Sequence, residues 1–397
     1  MSLPYYGEFG YEAEVVNVHS KHSLFIKEPK LQESIPHEVK FHTVDAFSIK
    51  WTSKIGLGSI ALRSLYFYFF KVNSLLKSQK YDLIFFSTNQ FPLTVLGKYW
   101  KAKFGVPYVI DFQDPWHTDY YRDKPVKQQP KKYFISYYLN KILEPIAVKS
   151  CDGLIAVSKD YITDLKQRYT DIANIPASVI TFGYSEIDFQ LAKSIKTKPV
   201  LQSKKLKLTY IGVLGSMMEL SLNLFFRNIQ ENRNFKENFH LELKGTSYAN
   251  QLTKTATPIA EKYKITNIEE DPNRIGAIEV LSELNACDGL IIFGTDDEAY
   301  TASKLYPYLQ VGKPILAIFH PKSHAFKLLK EISDANLISL YDDDIAVEDQ
   351  LNSFLENVSS NKGIKINQSK FKEFSAENLT QKQCELFDLT LKAKAND

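Results

Sequence analysis

Three stretches bring together residue types able to handle a sugar or a phosphate. In VIDFQDPWH, residues 109–117, an apolar run ends in Asp111, Asp114 and His117, and Pro115 stops it. Asp114 is suited to anchoring a sugar hydroxyl or acting as a base, and equally to capping its own loop with a side-chain-to-backbone hydrogen bond. His117 stands beside Trp116 with no second metal ligand nearby in sequence, so simple packing accounts for it too. In YIGVLGSMMEL, residues 210–220, Gly212 and Gly215 precede a helical pattern. Glycines there let backbone N–H groups approach a diphosphate at a helix N-terminus, although a turn needs them regardless of ligand. The third stretch, GLIIFGTDDEAYTASKLYPYLQVGKPILAIF, residues 289–319, offers Asp297 and Glu298 for sugar or ribose hydroxyls, Ser303 as a helix cap and Lys304 for a phosphate. A solvated acidic loop with a surface lysine is the alternative.

Such residues converge when they follow the strands of a parallel sheet, because ligands of open α/β sheets bind outside the carboxyl ends of the strands. Short apolar runs alternating with longer helical patterns predict that architecture. One series of strands is expected at 14–18, 39–44, 83–87, 108–111, 154–157 and 179–181. A second is expected at 207–211, 240–243, 290–293, 315–319 and 337–340. The polar, lysine-rich stretch between them, 186–205, reads as a linker. Domains are therefore expected over 1–185 and 206–370, with a terminal helix over 371–397 anchored by Phe374, Leu379, Leu386, Leu389 and Leu391. The halves echo each other, since SCDGLI at 150–155 returns as ACDGLI at 286–291. The Asp-Gly pair predicts a turn at positive φ before a buried strand.

A chain of 397 residues exceeds one ordinary domain, and 44% apolar with 24% charged residues fits packed cores with a soluble surface. A formal charge of +3 is far from the basic signature of a dedicated nucleic-acid binder. Cys151, Cys287 and Cys384 form no CxxC pair, which points away from a zinc site or disulfide framework and toward a reducing cytoplasm. No spanning helix or secretory signal is expected. The stretch 60–76, IALRSLYFYFFKVNSLL, is aromatic enough to touch a membrane surface peripherally, on its inner face, with a core helix as the alternative.

Taken in order, YDLIFFS, GVPYVIDFQDPW, SCDGLIAVS, ITFGYSEIDF, LTYIGVLG and ACDGLIIFG followed by SKLYPYLQVGKPIL resemble the group 1 (family 4) retaining glycosyltransferases over nearly the whole chain. The resemblance implies a GT-B fold, with two Rossmann-like domains facing across a cleft and a C-terminal helix crossing back to the first, acceptor domain. It implies transfer of a hexosyl unit from a nucleoside-diphosphate sugar to a carbohydrate or lipid-linked acceptor hydroxyl in polysaccharide or glycolipid assembly. It also implies no metal or cofactor, since backbone N–H groups, a helix N-terminus and cations stabilise the leaving diphosphate. Tyr341-Asp342-Asp343-Asp344 then reads as a solvated turn. The implied substrate-binding set is Gly212, Gly215, Lys244, Asp297, Glu298, Ser303, Lys304 and Leu305, with Asp114 as the catalytic candidate.

Four departures stand out. Pro307 occupies the position at which the family carries a glutamate that holds the donor ribose, and it is expected to delay the start of the helix. The other family glutamate aligns near Ala299. The Arg and Lys that follow the glycine turn in relatives have no counterpart in SMMELSLN, which leaves Lys304 and Lys244 as the cations. Finally, PYYGEFGYEAEVVNV matches the end of the family's first helix and its second strand, so the first βα unit is expected to be absent. A non-catalytic GT-B-like scaffold and a sugar-nucleotide 2-epimerase are the competing functions.

Overall fold

The computed structural model describes residues 1–23, 27–55, 57–119, 122, 129, 133–195, 205–248, 252–298 and 300–395. They form two compact units. The first unit takes in residues 2–23, 36–182 and 377–397, and the second takes in 183–376 with 24–35.

In chain order the first unit contains β1 (Glu14–Val18), β2 (Lys40–Val44), α1 (Ile49–Thr52), α2 (Ile60–Ser78), β3 (Ile84–Ser87), α3 (Val95–Phe104), β4 (Tyr108–Phe112), α4 (Tyr133–Val148), β5 (Gly153–Ala156), α5 (Lys159–Arg168) and β6 (Ala177–Val179). The second contains α6 (Glu186–Ser194), β7 (Leu206–Ile211), α7 (Glu219–Glu231), α8 (Arg233–Asn238), β8 (Phe239–Lys244), α9 (Ala256–Lys262), β9 (Ile268–Asp271), α10 (Ala277–Asn285), β10 (Gly289–Phe293), α11 (Leu305–Val311), β11 (Ile315–Phe319), α12 (His324–Ile332), β12 (Asn336–Ser339), α13 (Asp344–Ser359) and α14 (Gln368–Lys372). The last helix, α15 (Ala376–Ala395), belongs to the first unit from Glu377 on.

The main sheet of the first unit is parallel, in the order β3-β4-β5-β6. Strand β4 is buried on both faces, which is why it reads as an apolar run up to Asp111. Tyr108, Ile110 and Phe112 pack with Trp116, Ala147 and Val148, whereas Val109 packs with Leu379, Leu386 and Phe387 of α15. The period of two divides the strand between two helical layers. Leu389, expected as an anchor, is 55% exposed, and Phe374 lies ahead of α15 against the Tyr306 ring. Strands β1 and β2 form a separate parallel pair. Side chains tie its start to the chain entering β3, where Glu14 accepts from the Tyr81 hydroxyl at 2.5 Å and from Gln79 Nε2 at 3.1 Å.

The second unit is built on a six-stranded parallel sheet, β12-β11-β10-β7-β8-β9. Strand β9 was not expected from the sequence. Its buried side chain is Glu270, which accepts from the backbone N–H groups of Thr255 and Thr257 at the start of α9, so the usual apolar alternation is missing. Residues 186–194 are not linker. Ser185 caps α6, and Phe189 and Ala192 bury against Ile278 and Leu281 of α10. Glu28 caps α10 in turn, accepting from Ala277 and Ile278 N–H at 2.6 Å each.

The repeated Cys-Asp-Gly does the same work twice. Asp152 accepts from Tyr108 N–H at 2.9 Å and donates its own N–H to the Tyr108 carbonyl, while Asp288 makes the same pair of bonds with Lys207. Neither Gly153 nor Gly289 has positive φ, contrary to expectation. Each is needed because a Cβ would press on a covering helix, 2.7 Å from Thr390 Oγ1 and from Val358 Cγ2 respectively.

Candidate functional site

At the carboxyl end of the second sheet, β7 runs into Gly212, whose φ of 147° is one that side-chain-bearing residues rarely adopt. A Cβ there would stand 2.8 Å from Lys304 Nζ. Lys304 is the residue just before α11, and its ammonium lies 4.2 Å from the Tyr210 ring centroid and donates to the Tyr210 hydroxyl. Tyr210 is held in turn by donating to the Val213 carbonyl at 2.9 Å. Burial first, then the positive charge of Arg274, push the Lys304 pKa from 10.5 down to about 7. Arg274 follows β9 and packs beside Gly245, after β8. Two cations thus meet near glycine-bearing strand ends, and neither has a carboxylate partner among the described residues. An anion would relieve both.

Other residues expected here are engaged differently. Lys244 is held by Glu283 at 2.7 Å and Glu242 at 3.1 Å, so its charge is already neutralised and it is not a free phosphate ligand. Ser303 does not cap α11. The helix starts at Leu305 with Lys304 at the cap position, without a side-chain cap. Pro307 does not delay it, because a first-turn residue needs no N–H donor. Leu305 is buried, and Tyr308 fixes the turn by accepting from Ile211 N–H at 2.7 Å. Glu298 faces Lys322 at 3.3 Å. Asp297 lies in the loop after β10, its N–H donating to Thr295 Oγ1. Gly215 has open space around it and precedes the 3-10 turn Ser216–Met218. Ala299 lies outside the described residues. In the 341–344 turn, Asp342 accepts from Ser339 N–H, Asp343 caps α13 and Asp344 pairs with Arg227.

In the first unit the loop after β4 is held from below. Glu144, buried in α4, accepts from His117 N–H at 2.8 Å, from Arg168 at 2.6 Å and from the Tyr169 hydroxyl at 2.8 Å. Trp116 stacks on Phe91 and donates to Asn140. These contacts fix the loop that presents Asp114, which is exposed and whose pKa is raised by desolvation. Asp111 is buried, and desolvation lifts its pKa to about 6. Sequence reasoning missed Arg274, because β9 is hidden, and Tyr210, because a tyrosine inside an apolar strand reads as core.

Residues 55–184 match the model of Glycosyltransferase Family 4. Among solved structures, a glycosyltransferase from Rickettsia africae superposes with a TM-score of 0.59 at 12% identity, covering 98% of this chain and 93% of that one. The N-terminal domain of Candida albicans trehalose-6-phosphate phosphatase also gives 0.59 at 12% identity, with 96% and 97% covered. Sucrose-phosphate synthase from Thermosynechococcus elongatus gives 0.54 at 10% identity, with 100% and 89% covered. At such identities the likeness is one of fold. A search of curated protein sequences finds no significant match. The family match lies almost wholly within the first unit, and the two parallel sheets are those of a GT-B fold.

Proposed function

We propose that the chain moves a hexosyl unit from a nucleoside-diphosphate sugar to an acceptor hydroxyl in polysaccharide or glycolipid assembly, with retention of configuration. In this reading the donor diphosphate sits at the carboxyl end of the second sheet. The observation that carries it is the pair Lys304, packed against Gly212, and Arg274, beside Gly245, two cations without carboxylate partners among the described residues. Charge develops on the diphosphate as the sugar leaves, and fixed cations and N–H groups stabilise it without reorganising. Asp297 serves the donor's hydroxyls, and Asp114 serves the acceptor hydroxyl.

Titration calorimetry against nucleoside diphosphates of different bases tests this. Lys304→Ala and Arg274→Ala are each expected to weaken binding by about 1.5–3 kcal/mol, the scale of a hydrogen bond to a charged group. Unchanged affinity in both variants would move the diphosphate elsewhere. A second reading, binding without turnover, is favoured by Pro307, which leaves α11 without the carboxylate that family members use for the ribose. Release of nucleoside diphosphate from a sugar donor on adding acceptor separates the two.

A further inference from the structure

The helical layer of the first unit made by α2, α3 and α4 has an outward surface that takes no part in the site proposed above. On α4, Phe134, Ile135, Tyr138, Ile142 and Ile146 are exposed, at 72%, 52%, 48%, 61% and 39%. Their three- and four-residue spacing draws one stripe along the helix. The opposite side of α4 buries Glu144, Ala147 and Val148, so the stripe is the helix's outer face and not a misplaced core. Outer faces of helices on a soluble sheet are ordinarily polar. A second exposed cluster starts at α1 and α2 with Phe47, Trp51, Tyr66 and Phe70. Ring contacts carry it from Phe47 to Tyr66 and Phe70, then through Phe69 to Tyr99 of α3.

The exposed charges of the helices themselves have one sign, and the carboxylates beside them, Asp45 and Asp119, are paired with Lys21 and Arg122. Lys50, Lys54, Lys77, Lys98, Lys103 and Lys141 are exposed on or beside the same elements. Helices α1, α2 and α3 contain no Asp or Glu, and the single carboxylate of α4, Glu144, is buried on Arg168. The whole chain carries only +3, so this concentration of cations is local.

We propose that this face docks the enzyme on an anionic lipid surface. Aromatic and aliphatic side chains flanked by lysines are what an interfacial helix offers a bilayer, the rings entering at headgroup level and the ammonium groups meeting lipid phosphates. A second copy of the chain fits less well, because a two-fold interface would press lysines against lysines. Docking of this kind needs no spanning helix, and among the described residues no helix is long and apolar enough to cross a bilayer.

The test is co-sedimentation of the full chain with vesicles of phosphatidylcholine, or of equal parts phosphatidylcholine and phosphatidylglycerol. The wild type is expected to pellet with the anionic vesicles, to remain largely in the supernatant with the neutral ones, and to be released as salt is raised. Two variants of exposed residues probe the two halves of the surface: Phe134→Ser with Tyr138→Ser and Ile142→Ser, and Lys98→Glu with Lys103→Glu and Lys141→Glu. Each is expected to weaken partitioning at least about tenfold, with thermal unfolding as in wild type. No binding of the wild type to anionic vesicles, or undiminished binding by both variants, overturns the proposal. So does a concentration-dependent dimer in sedimentation velocity that the serine substitutions abolish, since the face would then join two copies.

Discussion

The ammonium of Lys304 lies against the ring of Tyr210, 4.2 Å from its centroid, in a site where Arg274 adds a second positive charge. The pKa of about 7 sets two signs. Between about 7 and the ordinary 10.5, the unfolded chain holds a proton that the folded chain lacks, so this group makes stability rise with pH across that window, its penalty being full below 7. A bound diphosphate restores the charged form. Nucleoside diphosphate binding above neutrality is therefore expected to take up a proton, read as a dependence of calorimetric enthalpy on the buffer's ionisation enthalpy. Lys304→Met should remove that uptake. Equal uptake in the variant would assign the proton to another group.

The paired glycines give a prediction about packing. Ala at 289 would put a Cβ within 2.7–3.0 Å of Val358, Leu208 and Phe354, and Ala at 153 would crowd Thr390 and Val109. Overpacking on this scale costs about 1–3 kcal/mol. Gly153→Ala and Gly289→Ala should each lower the urea midpoint accordingly. Gly215→Ala, with nothing within 4 Å, should leave it nearly unchanged.

These positions also show what the sequence carried. The doubled Cys-Asp-Gly was legible as a repeat, but the need for glycine came from helices α13 and α15, more than 60 residues distant, and not from backbone conformation. Most strands were legible because parallel strands buried on both faces are short apolar runs. Strand β9 and helix α6 were not, since Glu270 replaces an apolar core residue and α6 buries only Phe189 and Ala192. Lys304 stood out by its place before an apolar helix. That Lys244 is already paired was not legible, because its carboxylates come from Glu242 on the same strand and Glu283 on helix α10.

Glu14 joins the β1–β2 pair to the start of β3. The Tyr81 hydroxyl first, then His42, hold its pKa down at about 2, against an ordinary 4.5. A depressed carboxyl pKa contributes stability that is present above 4.5 and lost as pH falls through 2. Tyr81→Phe removes the largest cause. Its unfolding should match wild type closely in slope at neutral pH, and its acid transition should move to higher pH, followed by circular dichroism. An unmoved acid transition would show that the two sheets do not depend on this carboxylate.

Pro307 is the third residue of α11, inside the first turn, where the missing N–H costs little. The helix therefore begins directly after Lys304, and a side chain at 307 projects from a turn adjacent to the proposed diphosphate site. The glycosyltransferases that the sequence resembles are expected to hold the donor ribose with a glutamate at this position, so Pro307→Glu is expected to tighten nucleoside diphosphate binding about tenfold, the lower end for a charged hydrogen bond. Pro307→Ala separates the carboxylate from the mere removal of the ring and should leave affinity within about twofold, since a change that adds or removes no such contact stays within about 0.5 kcal/mol. A ribose contact makes a further demand: the gain from glutamate must vanish with a 2′,3′-dideoxynucleoside diphosphate, which lacks the hydroxyls that a carboxylate would accept from. Equal gains for both nucleotides, or for both substitutions, would place residue 307 away from the ribose and with it displace the donor from this edge of the sheet.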